Sequence, residues 1–210
     1  MPTITKLTRN EFEQSLNAFV ETSHRVALAD QWQLKKDRFG KQVYITKKQT
    51  IVCQTSSRQA ECSTDFEICD DVPDIAELEL ASPDAGIICT EYHIVYSTTY
   101  CVPVLYFNAY FSDGSFLSRN DLEQHVFSKL HVEALRTNSL IQQGAISQHD
   151  HPILGQPFFY VHPCDTSALM AQLQIENALS YIISWLSFFG PPVGLYIDPI
   201  YVQKDWVKIG

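Results

Sequence analysis

The chain has 210 residues, a formal net charge of −9 and 45% hydrophobic residues, the profile of one globular domain, residues 1–210, able to bury a real core. The acidic balance argues against nucleic acid as a partner, since phosphate contacts need a basic face, and no apolar run approaches the ~20 residues of a membrane span. The start, Met1 to Lys6, lacks the apolar segment of a secretory signal, so the chain reads as cytoplasmic, with its six cysteines reduced and no disulfide framework implied.

Residues 7 to 21 predict an amphipathic helix. Thr8 and Glu11 form a capping box, Leu7 and Phe12 fit a hydrophobic staple, and Leu16, Phe19 and Val20 continue the apolar stripe at helical spacing. The runs Trp32 to Lys36 and Lys41 to Thr46, joined by a turn ending in Gly40, read as a hairpin with one solvated face.

From Gln54 to Ala85 the composition shifts to Ser, Thr, Asp and Glu, and no Lys or Arg occurs between Arg58 and Arg119. This stretch, 54–85, reads as an acidic surface insertion, part of it mobile. It serves either as a solubilising loop or as a docking surface for a basic partner.

Two strands follow. Gly86 to Thr98 places Tyr92, Ile94 and Tyr96 on one face. Val102 to Phe111 places Val104, Tyr106, Asn108 and Tyr110 on one face and Leu105, Phe107 and Phe111 on the other, the mark of a central strand. Asn108 should therefore be buried and hydrogen-bonded, as a satisfied core amide or as a group that positions a loop or an oxyanion. Asp113-Gly114 predicts a turn into the run Ser115 to Ser118, and Asn120 is placed to cap a short helix carrying Leu122, Val126 and Leu130. Residues 138 to 156 read as polar loop.

The chemistry concentrates further on. The apolar run Pro157 to Val161 ends in His162-Pro163-Cys164-Asp165-Thr166, and a long helical pattern follows from Ser167 to Phe189, with a bend or join at Gln174 to Asn177 and a stop at Gly190-Pro191-Pro192. A cysteine between a strand and a helix N-terminus meets unpaired N–H groups that favour thiolate. His162 adds to that effect if protonated, and Asp165 subtracts from it. The other five cysteines read as small buried core residues. No Cys-x-x-Cys is present. His149, His151, His162 and Cys164 make a mixed set that would converge on a metal ion only if the segment were a strand, and such stretches are more often solvated loop. No cofactor is implied. The tail, Val193 to Gly210, carries Trp206 and enough aromatic residues to pack back on the body.

The order of one helix, an antiparallel meander, then a cysteine before C-terminal helices resembles the E2 ubiquitin-conjugating fold, an α+β core here extended by extra β and loop structure. His162-Pro163-Cys164-Asp165-Thr166, preceded by His151-Pro152-Ile153-Leu154-Gly155-Gln156-Pro157-Phe158-Phe159, resembles the E2-like enzymes of autophagy. So do Tyr100 to Tyr106 and the Ser-Trp-Leu ending of the last helix, and the closest resemblance is to the autophagy-related protein ten family. That resemblance implies that Cys164 carries a ubiquitin-like modifier, autophagy-related protein twelve, as a thioester. The modifier would come from an E1-like enzyme, autophagy-related protein seven, and pass to a lysine of autophagy-related protein five. The sister family, autophagy-related protein three, transfers to a lipid amine and is usually longer. Ordinary E2 enzymes carry a His-Pro-Asn before the cysteine, and this chain has none. Tyr100, Asn108 and His162 are therefore the candidate helpers. Rival readings are a thiol hydrolase using His149, His151 or His162 as base, and an inactive E2-like binding module with Cys164 buried.

Overall fold

The computed structural model describes residues 3–26, 32–52, 86–129, 132 and 146–202. The acidic stretch 54–85, Leu130, residues 138–145 and Trp206 lie outside the described residues. Helix α1 spans Arg9–Val26. Its start is the capping box: the Thr8 N–H and hydroxyl donate to the Glu11 carboxylate at 2.7 and 2.6 Å, and the Glu11 N–H donates back to Thr8 Oγ1 at 3.3 Å. Leu7 and Phe12 are both buried. The helix runs on to Val26, beyond the expected end at residue 21, and within it Thr22 and Ser23 donate their hydroxyls to the carbonyls of Ala18 and Val20.

Six strands form one antiparallel sheet in the order β1-β2-β3-β4-β6-β5. They are β1 Gln33–Lys36, β2 Val43–Val52, β3 Ile87–Ser97, β4 Val102–Phe111, β5 Ile146–Asp150 and β6 Pro157–Val161. β1 to β4 are the expected hairpin and central pair, with Tyr92 opposite Phe107 and Ile94 opposite Leu105. One face buries Ile45, Tyr92, Ile94, Leu105 and Phe107 against α1 and α4 (Ala178–Phe189), whose Phe12, Leu16, Phe19, Tyr181, Ile182 and Trp185 close the core. Each such aliphatic or aromatic side chain contributes about 1.5–3 kcal/mol by leaving water.

Three elements differ from expectation. β5 replaces part of the loop at 138–156: four of its five residues are polar and exposed, and its pairing comes from the register on β6, Ser147 with Tyr160 and His149 with Phe158. The run Ser115 to Ser118 forms only a single bridge, between Phe116 and Tyr110. Helix α2 (Arg119–His125) is capped by Ser118, whose hydroxyl accepts from Asp121 N–H while the Asp121 carboxylate accepts from Ser118, so Asn120 lies inside the helix instead of capping it. The long helix after Cys164 is two: α3 (Thr166–Met170) and α4. The join falls in the expected place. Ile175 turns into the core, its carbonyl accepts from the Ile4 N–H, and Asn177 restarts the helix by accepting from Ser180 N–H at 2.8 Å.

Of the cysteines expected in the core, Cys89 is exposed and Cys101 is half-exposed. Cys89 falls on the outer face of β3, because burial of Ile88 and Thr90 puts the odd-numbered residues outward. No helix among the described residues is long and apolar enough to cross a membrane.

Candidate active site

Alternation along β6 sends Phe159 toward the core and Tyr160 to the outer face, where it stacks on Tyr106 of β4 at 5.7 Å and 23°. One period further, His162 continues that face. Its ring lies 5.9 Å from Tyr160 and 5.9 Å, edge-on at 77°, from Tyr100. Tyr100 reaches it from the β3–β4 turn, in which Cys101 holds the left-handed conformation at φ 57°. These groups border a cavity of about 330 Å³ lined by the turn residues Ser97 to Tyr100, by Tyr106 and Tyr160, by His149 and Pro152, and by His162 and Pro163.

Cys164 stands exposed just past this cavity. Its own N–H donates to His162 Nδ1 at 3.2 Å, which makes that nitrogen an acceptor and places the His162 proton on Nε2. Thr166 is buried and its N–H donates to Pro163 O at 3.2 Å, closing the turn that presents the sulfur.

The electrostatics reverse the expectation for the thiol. Desolvation raises Cys164 above the ordinary thiol range, and the Asp165 carboxyl, by hydrogen bond and by charge, raises it further. The N–H groups of Asp165 and Cys164 act in the opposite direction and are outweighed. The helix that follows, α3, does little to offset this. It has five residues, too short to accumulate a sizeable dipole, and its N-cap is the acid itself, whose side chain makes no capping bond.

The candidate residues therefore divide. Tyr100, His162 and Cys164 come together at one end of the sheet. Asn108 does not join them. It is buried, and its Nδ2 donates to Pro157 O at 3.1 Å, at the opposite end of β6 from the thiol. It is a satisfied core amide. The Cys164 thiol is exposed, contrary to the buried-cysteine reading. The bases required for a hydrolase are otherwise engaged: His162 faces the Cys164 backbone, His149 packs on Tyr160, and His151 is fully buried. The mixed metal set does not converge either, since both His151 ring nitrogens are occupied by His93 and by the N–H groups of Ile153 and Leu154. Among the described residues no three His, Cys, Asp or Glu side chains are placed to hold a metal ion. Sequence reasoning passed over Tyr106, Tyr160 and His93, although strand alternation alone puts them on this outer face.

Comparison with known proteins follows the same stretch of chain. Residues 11–199 match the family model described as autophagocytosis associated protein, active-site domain. A human protein named ubiquitin-like-conjugating enzyme ATG10 is 39% identical over 143 residues, covering 66% of this chain and 62% of that protein. The protein of the same name from Arabidopsis thaliana is 36% identical over 118 residues, covering 51% of this chain and 49% of its own length. The chain thus spans about half to three-fifths of the length of these relatives. A crystal structure described as the autophagic E2 Atg10 aligns over 91% of this chain and 99% of its own at 16% identity, with a TM-score of 0.48.

Proposed function

This chain belongs to the family of the autophagocytosis associated protein, active-site domain, and on that premise we propose that it is an E2-like conjugating enzyme that carries a ubiquitin-like modifier as a thioester on Cys164. The observation that carries this reading is an exposed thiol, held by a short turn just past an aromatic cavity, with no histidine among the described residues placed to make it a hydrolase. The Cys164 sulfur attacks the activated C-terminal carbonyl presented by an E1-like enzyme and displaces the E1 thiol. A lysine amine of the target then attacks the thioester, the sulfur leaves, and an isopeptide bond remains. The target lysine has to shed its proton first, since its ordinary pKa lies near ~10.4. In this reading Tyr100 and His162 steady the carbonyl oxygen or the incoming amine. The specific partners follow the family resemblance: autophagy-related protein twelve as modifier, protein seven as E1-like donor and protein five as target. The setting is the cytoplasm.

The test is incubation with the E1-like enzyme, ATP and the modifier, followed by non-reducing electrophoresis. A modifier-sized adduct removed by thiol reductant, and converted by Cys164→Ser into a reductant-resistant ester, is the expected result. An adduct that persists in Cys164→Ala places the nucleophile elsewhere, and absence of any adduct overturns the conjugating reading.

A further inference from the structure

The outer face of the sheet holds a buried polar chain for which the transfer chemistry has no use. His93 on β3 is 2% exposed, and His151, where β5 gives way to the β5–β6 loop, is 0% exposed. His93 Nδ1 and His151 Nε2 lie 3.1 Å apart. Beyond His151, its Nδ1 accepts the N–H groups of Ile153 and Leu154, each at 3.2 Å. Beyond His93, its Nε2 lies 3.2 Å from a Glu91 carboxylate oxygen, close enough for an ion pair though angled away from an ideal hydrogen bond. Lys48 Nζ is 3.6 Å from that same oxygen.

The protons in this chain have one consistent arrangement. Backbone N–H groups only donate, so His151 Nδ1 is bare and its proton sits on Nε2. That proton points at His93 Nδ1, which is therefore bare too, and the remaining His93 proton sits on Nε2 facing the carboxylate. Glu91 is held ionised, below the usual carboxylate range, chiefly by its contact with His93 and further by Lys48 and Lys35. Any added proton breaks the chain. On His151 Nδ1 it evicts both loop N–H groups, and on His93 Nδ1 it sets one N–H against another.

The surroundings offer a cation on His151 only the Glu91 carboxylate, on the far side of His93, as compensation. The rings of Tyr44, Tyr106 and Phe158 close around the pair at 5.0 to 5.9 Å. Burial raises the hydroxyls of Tyr44 on β2 and Tyr106 on β4, as it does that of Tyr110 further along β4, so all three stay neutral. The charged groups facing the pair are Glu91 from β3, Lys48 from β2 and Lys35 from β1. The neighbours on β5, His149 and Asp150, are exposed, and the His149 ring lies against Tyr160. The same loop supplies Pro152, and β5 supplies His149, to the wall of the cavity beside Cys164.

We propose that Glu91, His93 and His151 form a proton-sensitive latch. With both rings neutral it pins the β5–β6 loop to the sheet and sets the cavity wall opposite Tyr100, and protonation releases that wall. The effect on transfer rests on the conjugating function proposed above; the latch itself does not. Burial first, and the neighbouring His93 second, push His151 from its ordinary 6.5 down to about 3. The closed form therefore binds fewer protons than the open form between these values. The latch is at full strength above about 6.5 and weakens as pH falls below it, so that opening becomes about tenfold more populated between pH 7.5 and 5.5.

Nuclear magnetic resonance on the whole ¹⁵N-labelled chain tests the latch without any partner. The expected result is a bare Nδ1 and a protonated Nε2 on His151, with amide protection factors at Ile153 and Leu154 falling about tenfold between pH 7.5 and 5.5 while that of Phe107 holds. In His151→Asn the side-chain oxygen replaces Nδ1 as acceptor and cannot titrate, so protection persists and its pH dependence flattens. His151→Leu removes the acceptor and loses protection at every pH; should it fail to fold, the wild-type titration and the Asn variant still decide. Protection that ignores pH in the wild type, or that keeps its pH dependence in His151→Asn, overturns the latch. For the link to the site, discharge of the Cys164 thioester to lysine should fall more steeply below pH 6.5 in the wild type than in His151→Asn. Identical profiles overturn that link, whereas a working latch in a chain that forms no thioester overturns the proposed function alone.

Discussion

The N–H of Cys164 donates to Nδ1 of His162 across 3.2 Å, so the histidine next to the candidate nucleophile is tied to its backbone. The thiol is consequently left to the influence of Asp165. That arrangement separates an acyl carrier from a cysteine hydrolase, in which the imidazole must face the sulfur to take its proton.

Desolvation and then the Asp165 carboxyl raise the Cys164 thiol. Replacing Asp165 by Asn removes the charge and lowers the thiol toward its ordinary value. Alkylation of Cys164 at pH 7.5 should then be roughly two- to tenfold faster, following the thiolate fraction, and the rate-against-pH curve should shift to lower pH. An unchanged curve means that Asp165 does not govern the thiol.

Tyr100 meets His162 edge-on at 5.9 Å. If its hydroxyl assists the transfer step, Tyr100→Phe should slow single-turnover discharge of a preformed thioester by about 10²–10³, with loading from the E1-like enzyme intact. If the ring alone matters, Tyr100→Phe is silent and Tyr100→Ala is slow.

Asn108 is buried and bonded to Pro157 O. Asn108→Ala should cost about 0.5–1.5 kcal/mol in denaturant unfolding, because the part-buried hydrogen bond to Pro157 O is lost. Discharge per folded molecule should stay at the wild-type rate. A large fall in discharge without loss of stability would restore Asn108 to the site.

The capping box at α1 predicts a modest loss with a pH signature. Thr8→Ala should lower stability by about 1 kcal/mol at neutral pH. Glu11 is held below its ordinary 4.5 by hydrogen bonds from Thr8. Its contribution is therefore present above that value and fades as pH falls through it. Unfolding curves at pH 7 and pH 3 should show the difference between wild type and variant shrinking in acid.

Gly194 stands at φ 77°, and a Cβ there would sit 2.7 Å from Val126 O. The adjoining Val193 carbonyl accepts the Tyr92 hydroxyl at 2.9 Å. Gly194→Ala should destabilise by at least ~1–2 kcal/mol from backbone strain alone. A variant as stable as the wild type would mean that Val126 and Gly194 separate easily.

Much of this molecule was legible in advance wherever neighbours along the chain decide the outcome. The Thr8–Glu11 capping box, the staple of Leu7 and Phe12, and the alternating faces of β3 and β4 depend on spacing, and spacing is visible in one dimension. The cysteine after Pro157 to Val161 was equally plain, since an apolar strand ending in His-Pro-Cys marks its position without coordinates. β5 was not legible, because Ser147 to Asp150 are polar and become a strand only when β6 offers its edge. The capping residue of α2 was misplaced by two, because the Ser118 and Asn120 side chains both suit the role and only the chain's exit from the Phe116 bridge selects Ser118.

The sequence by itself determined the α+β order of elements and the place of the candidate cysteine between a strand and a helix. Tertiary structure alone decided which candidates meet. Asn108 lies on β4 and Cys164 follows the neighbouring β6, yet the antiparallel register of β4 on β6 puts Asn108 beside Pro157, at the end of β6 away from the thiol. Tyr100 and His162, 62 positions apart, are brought into contact by that same register. The thiol's raised pKa was likewise beyond one-dimensional reading, because it depends first on desolvation and then on how the turn sets the Asp165 carboxyl against the sulfur. Local periodicity specifies which face a residue occupies, while register, set by packing between distant segments, specifies what it faces.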